Sequence, residues 1–425
     1  MVSKLKNIDP YFRPILESLS ELADKLNARV YLVGGVVRDL MLGERMFDLD
    51  IVVEADAIEF AHKFADIHKK QFKKHHAFGT ATVFFDNHHI DFVTARSEIY
   101  SGFGALPRVL PASLRDDLLR RDFTINAMAI SLNKSDYGKL VDYYCGEKDL
   151  KDGVIRVLHN NSFMDDPTRI LRAIRFEQRF SFKLERHTLR LAKKAIGENA
   201  FSLVNPHRLR EELILLLKEP HPRKYIKRLQ ELKILPLMDK NIRLNKNDFH
   251  IIARIEQAIE FYRASFKRHR QLEEWLIYFM AILYRLKSSD AAKFLDTFGF
   301  RKGEKIRILS LYDNMDKVKQ LNKKVLPHVI YKMLNPLSFE NIIFFYAYYR
   351  EKKIRKHIEI FLDKLIGIHL KLKGEDLRRL GFKPPTLYGK LFERLLYAKI
   401  DKGFKTLEEE VSEAHIIFEN CQSKH

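Results

Sequence analysis

The chain is short of the residues that staple a fold or carry it through a bilayer. Two cysteines, Cys145 and Cys421, occur in 425 residues, too few for a disulfide framework or a cysteine zinc site. No stretch approaches the roughly eighteen consecutive apolar residues of a membrane span. The segment Met1 to Pro10 lacks the apolar core of a secretion signal. The aromatic cluster Phe344 to Tyr349 is too short to cross a bilayer and runs into Lys and Arg. No membrane partner is expected, and a reduced, cytoplasmic setting fits best. No fixed-period repeat or low-complexity tract is visible.

Apolar side chains and positive charge are what the chain has in quantity. Hydrophobic residues make up 46% and aromatics 12%, which supports a packed protein rather than a disordered one. Lys and Arg number 76 against 56 Asp and Glu, a formal net charge of +20. Such an excess points to a polyanionic partner, because neutralising phosphates releases their counterions. A basic surface serving solubility alone is the plain alternative. The length exceeds a single core and predicts about two to four units.

The texture changes near Asn160. Before it, VYLVGG (Val30 to Gly35), DLDIVV (Asp48 to Val53), TATVFF (Thr80 to Phe85) and HIDFVTA (His89 to Ala95) read as strands. NAMAISLN (Asn126 to Asn133) and VIRVLH (Val154 to His159) read as further β segments, with helical stretches over Tyr11 to Leu26 and Ala55 to His68. These elements predict a small mixed α/β domain. After Asn160 the apolar residues recur at helical spacing, prolines punctuate successive helices, and no strand is expected.

Three motifs carry chemistry. In GGVVRDLMLGERMFDLD, Gly34 and Gly35 follow a strand and let backbone approach a phosphate. A helix starting there turns free N–H groups toward the anion, with Arg38 on its first turns. Asp48 and Asp50 stand two apart on a strand, so both carboxylates project from one face. Two such charges are costly together unless a divalent cation binds between them, the arrangement used in phosphoryl transfer. Asp91, on another strand, adds a third carboxylate, and hard oxygen ligands favour Mg2+. A solvent-facing acidic pair on an edge strand is the bland alternative.

The second motif, RRDFTIN (Arg120 to Asn126), offers Arg121, Asp122 and Asn126 to a ribose and its phosphates; an Arg120 pair with Asp116 or Asp117 on a helix is the plain alternative. In the third, DDPTRILRAIRF (Asp165 to Phe176), Asp166 caps a helix that opens on Pro167. Asp166 and Arg169 then lie three apart and can meet the edge of a base, with Arg172 on the same face as Arg169. A capped, salt-bridged amphipathic helix would show the same spacing.

Together these motifs resemble the class II tRNA nucleotidyltransferases and the related bacterial poly(A) polymerases, of the DNA polymerase beta superfamily. The likeness is specific over residues 31–180, weaker through NPHRLREEL (Asn205 to Leu213), and returns in KGEDLRRLGFKPPTLYGKLFERLL (Lys373 to Leu396). It implies an α+β chain: a polymerase-beta-like head with a mixed sheet of about five strands, followed by an all-α neck, body and tail. The expected segments are 1–160, 161–235, 236–330 and 331–425.

The resemblance also implies roles. Asp48 and Asp50 would bind the catalytic metal, with Asp91 beside them. Gly34, Gly35 and Arg38 would meet the triphosphate, and Arg121, Asp122 and Asn126 the nucleotide. Asp166 and Arg169 match the pair that selects CTP or ATP, with Arg172 nearby; Asp165 stands where the family often has Glu. The implied reaction adds or repairs the CCA end of tRNA from CTP and ATP, releasing pyrophosphate and engaging the acceptor arm, with no stable protein partner.

Residues 96–118 correspond to the mobile loop that helps the site accept ATP, with Gly102, Gly104 and Pro107 supplying mobility. This disfavours an enzyme that adds only CC and leaves A-only addition open. A poly(A) polymerase, and a catalytically silent RNA-binding protein of the same fold, are the competing readings.

Other features are set aside as sites. His75–His76 and His88–His89 lack zinc spacing, and Cys145 reads as a turn residue. Lys267 to Arg270, Lys323–Lys324 and Lys352 to Lys356 read singly as solvated helix faces and collectively as an electrostatic track for folded RNA. FFYAYY reads as core.

Overall fold

The structure is a computed structural model that describes residues 5, 8–44, 48–76, 79–86, 88–99, 102, 104, 108–266, 270–383 and 387–422. Pro107, Lys267 to His269 and the Pro384–Pro385 pair lie outside the described residues. The chain forms two compact units, Met1–Pro220 with Lys224–Met238, and His221–Arg223 with Asp239–His425.

In the first unit a mixed sheet of seven strands has the order β3-β4-β5-β2-β1-β8-β9. The strands are β1 (Val30–Val33), β2 (Leu49–Val53), β3 (Phe72–His75), β4 (Thr80–Phe85), β5 (His88–Thr94), β8 (Ala129–Ser131) and β9 (Leu140–Val141), while β6 (Arg96–Ile99) and β7 (Arg108–Pro111) form a separate hairpin. The α+β class holds, but the sheet has seven strands rather than about five. The two extra strands are the polar edge strand FKKH and the two-residue β9, neither of which shows the alternation that signals a half-buried strand. Within VIRVLH only Val154–Ile155 (β10) is a strand, and it pairs with Lys183–Leu184 (β11), not with the main sheet. β11 therefore lies beyond Asn160, where no strand was expected; two residues are too short to leave a periodic signature.

The helices of this unit include α1 (Arg13–Lys25), α2 (Gly35–Leu42), α3 (Ala57–His68), α4 (Leu114–Leu119), α5 (Gly146–Asp152), α6 (Ser162–Asp165), α7 (Thr168–Arg179), α8 (Arg186–Gly197) and α9 (Pro206–Lys218). Their ends follow local chemistry. Asp56 caps α3 by accepting from the Ile58 and Glu59 amides, and Ser113 with Asp116 forms a capping box at α4. One face of the sheet packs on α3 through Phe60, Phe64 and Phe92. On the other face Leu114 and Leu118 of α4 cover Tyr31, Val33 and Val52. That cover reaches only one end of the sheet, and the end bearing the acidic residues is left open.

The second unit is helical. Trp275 to Leu283, within the helix Glu274–Leu283, are all buried, the pattern of a helix surrounded on every side. It packs on Lys246–Ser265 and Phe339–Tyr348, so FFYAYY supplies core, with Phe344 and Phe345 fully buried. A separate small core gathers Leu372, Leu377, Phe382, Leu391, Leu395 and Ala414. Among the described residues no helix is long and apolar enough to cross a membrane.

Candidate functional site

The site is built where β1 and β2 end. Gly34 leaves β1 with φ 74° and starts α2, a conformation that glycine adopts at little cost. A β-carbon there would sit 2.5 Å from an Arg121 guanidinium nitrogen. The turn is therefore tight against the second motif, and Arg121 lies directly over it. Arg121 is held by Asp117 at 3.0 Å, while its Nε is buried without a hydrogen-bond partner.

Asp48 immediately precedes β2 and Asp50 lies within it. The β2–β5 pairing is parallel and places Asp50 directly opposite Asp91. Thr82 of β4 donates to Asp91 at 2.6 Å and fixes that carboxylate. Burial pushes the Asp50 carboxyl above its usual range; Arg121 opposes this, while Asp91 and Asp48 add to it. Asp50 is nevertheless exposed to solvent as a residue, so the protein crowds its carboxyl without enclosing it.

His89, set aside on spacing, lies among the carboxylates: its ring nitrogens are 2.9 Å from Asp48 and 3.6 Å from Asp91. His88 points to the opposite face and packs on Tyr11 and Phe12, as strand alternation requires.

Among the described residues no three acidic, histidine or cysteine side chains converge closely enough to hold a metal ion as they stand. The donor set nevertheless fits a hard divalent cation. Magnesium keeps several of its waters and needs only one or two protein carboxylates, and Asp48 and Asp50 present oxygen donors whose mutual repulsion a cation would relieve.

Beside the carboxylates opens a cavity of about 610 Å³, lined by Gly35, Asp50, Asp122 and Asp166 and by a wall of arginines that includes Arg96, Arg120, Arg121, Arg169, Arg172 and Arg208. Most of these charges are committed. Arg38 is 5% exposed, stacked against Phe176 and Phe180 and bonded to Asp39 and Asn126. Asn126 donates to Asp122 at 2.8 Å, and Asp122 accepts from Arg172 at 2.8 Å. Burial pulls the Asp122 carboxyl up, but Arg172 and Asn126 outweigh it, and the group sits below the usual carboxylate range. Arg172 reaches Glu212 as well and is held protonated above its ordinary range, burial opposing and the two carboxylates prevailing.

Asp166 and Arg169 do not pair with each other. Asp166 accepts from the Thr168 amide and hydroxyl and from Arg208 at 2.8 Å. Arg169 donates to Ser162 and to the Arg120 carbonyl, both at 2.7 Å. The structure thus brings the proposed residues of all three motifs to one cavity, except that Gly34 lies behind its wall and Asp48 and Asp91 stand on the sheet at its side. Lining residues that the sequence motifs do not point to are Arg96, Glu98, Arg120, Arg175, Arg179 and Arg208. Arg175 and Arg179 continue the helical stripe begun by Arg172 and were findable from period alone; Arg208 sat in the weaker NPHRLREEL motif. Glu98, which holds Arg120 at 2.9 Å, left no signal. Within the segment 96–118, the Gly104 amide donates to the Met164 and Asp165 carbonyls, next to Asp166.

Comparison with known proteins agrees with this geometry. Residues 30–156 match the Poly A polymerase head domain, and residues 181–239 match a probable RNA and SrmB-binding site of polymerase A. The A-adding tRNA nucleotidyltransferase of Geobacter sulfurreducens is 33% identical over 93% of this chain, although the match spans only 46% of that relative. The A-adding tRNA nucleotidyltransferase of Halalkalibacterium halodurans is 34% identical over 88% of this chain and 85% of its own. The Thermotoga maritima CCA-adding enzyme in complex with tRNA superposes with a TM-score of 0.78 at 32% identity, covering 97% of each chain. The chain belongs to the tRNA nucleotidyltransferase family built on the poly(A) polymerase head.

Proposed function

We propose that this chain adds nucleotides to the 3′ end of tRNA without a nucleic-acid template, and that the terminal adenosine is among them. The observation that carries this reading is the placement of Asp48, Asp50 and Asp91 at the open end of the sheet, beside a glycine turn and an arginine-lined cavity. The 3′ hydroxyl attacks the α-phosphate of ATP or CTP, and pyrophosphate leaves. Magnesium held by Asp48 and Asp50 would supply charge neutralisation at the attacking and leaving oxygens.

The chain's own residues do the rest. The Gly34–Gly35 backbone and the Arg121 guanidinium face the triphosphate. Arg38 lines the cavity on the triphosphate side and also holds Asn126, which with Asp122 fixes Arg172. Asp166 and Arg169 select the base, with Arg208 orienting the aspartate. The segments 1–160, 161–235, 236–330 and 331–425 serve as catalytic head, base-reading neck, body and RNA-binding tail. A cytoplasmic setting accords with the scarcity of cysteine.

Relatives named A-adding match most of this chain and support A addition; the likeness to a CCA-adding enzyme keeps complete CCA synthesis as the second reading. Purified protein is given tRNA ending before the first C, after CC, and after CCA, with each nucleotide in turn. Addition of one A to the CC-ended tRNA alone supports A addition; growth of the shortest substrate supports CCA synthesis. Long adenosine tails on any RNA would return a poly(A) polymerase, and no incorporation at all would leave a silent RNA-binding protein.

A further inference from the structure

The sheet face that carries the carboxylates continues outward past them. From Asp50 the register runs through Asp91 on β5 and Thr82 on β4 to Lys73 on the edge strand β3. One step along, His89 faces Phe84 across the β4–β5 pair. Alternation puts Phe84 on this polar face, 45% exposed, while its neighbours Val83 and Phe85 are buried in the core. Lys73 is exposed as well. The strip lies on the opposite side of the carboxylates from the Gly34–Gly35 turn, because β5, β4 and β3 flank β2 on one side and β1 on the other.

In-line phosphoryl transfer needs the attacking and leaving oxygens on opposite sides of the phosphorus. With the triphosphate on the β1 side, the attacking hydroxyl must come from the β4–β3 side. We propose that Phe84, Lys73 and the intervening face of β4 form the docking platform for the single-stranded 3′ end of the acceptor RNA, an inference that rests on the function proposed above. Phe84 offers a π face for the penultimate or terminal base, and base–aromatic stacking is tolerant of sequence. Lys73 meets a backbone phosphate. His89, held by Asp48, borders the path of the last ribose toward Asp50.

The test uses the full chain with Phe84→Ala, Phe84→Trp and Lys73→Glu. Phe84→Ala should raise KM for CC-ended tRNA about ten-fold and leave KM for ATP in place. Phe84→Trp should restore the RNA KM, and its fluorescence should fall when a short CC-ended oligoribonucleotide is added without nucleotide. The native Trp275 is buried and supplies a constant background. Lys73→Glu should weaken RNA binding and lower its salt dependence by about one ion.

The proposal fails if Phe84→Ala leaves the RNA KM unchanged, if ATP alone quenches the Phe84→Trp reporter while RNA does not, or if Phe84→Ala acts only by abolishing self-association. A wild-type protein that transfers no nucleotide would overturn the functional reading instead, and RNA quenching of the reporter would still decide whether the strip docks RNA.

Discussion

The two walls of the site are charged in opposite ways and use that charge differently. On the sheet, Asp48, Asp50 and Asp91 stand side by side, with Asp48 and Asp91 about half open to solvent and His89 among them. On the helical side, Arg38, Arg169 and Arg172 are each tied to acceptors that other elements supply. A crowded, under-compensated set of like charges is poised for an external partner. A set of charges already paired holds a shape. The first wall thus reads as chemistry and the second largely as the frame that positions the nucleotide.

The largest effect should come from the sheet. Asp48→Ala or Asp50→Ala should lower kcat by about a thousand-fold or more without lowering the thermal midpoint. Asp50→Asn should hold or raise that midpoint, because burial disfavours the charged form in the folded state. A double variant that retains turnover would end the contrast between the walls.

Next is the frame. Asp122→Asn should destabilise the first unit by about 1 to 2 kcal/mol, since half-buried Arg172 keeps only Glu212 as a counter-charge. The folded-state pKa of Asp122 lies below its unfolded value near 3.8. Its contribution is therefore fully present above pH 3.8 and is lost as the pH falls below that toward the folded value. Denaturant titrations across this window should show a shallower acid loss in the variant; equal slopes would mean that Asp122 is not held as described.

A smaller effect should follow Arg208→Ala, which frees the Asp166 carboxylate. Discrimination between ATP and CTP should fall about ten-fold, with Arg208→Lys recovering part of it; unchanged discrimination in single-turnover assays would place base choice elsewhere. The smallest should come from the second unit. Lys352→Glu should weaken tRNA binding slightly and reduce the slope of log affinity against log salt by about one, whereas an unchanged slope would remove that residue from the electrostatic track.

Much of the site was legible in the chain because the carriers are local. Asp48 and Asp50 share a face through the two-residue period, and Gly34 marks a turn; the helix after Asp166 starts one residue later than the spacing predicts, with Pro167 at its cap and Asp166 accepting from the Thr168 amide. Strand number was less legible. FKKH is polar because it sits at an edge with little to bury, and β9 and β11 are too short for any pattern. The set-aside His89 shows the same limit: neither of its neighbours in sequence reveals that Asp48 stands across the strand pair.

The amino-acid order alone thus determined which residues could do chemistry and on which side of their own strand or helix they lie, because both follow from backbone periods of two and 3.6. Only the tertiary structure decided who faces whom: Asp91 beside Asp50, His89 against Asp48, Arg208 on Asp166, Arg172 on Asp122. Those pairings depend on register between strands and on helix and loop residues brought together from positions 42 to 50 apart, and no local period encodes them.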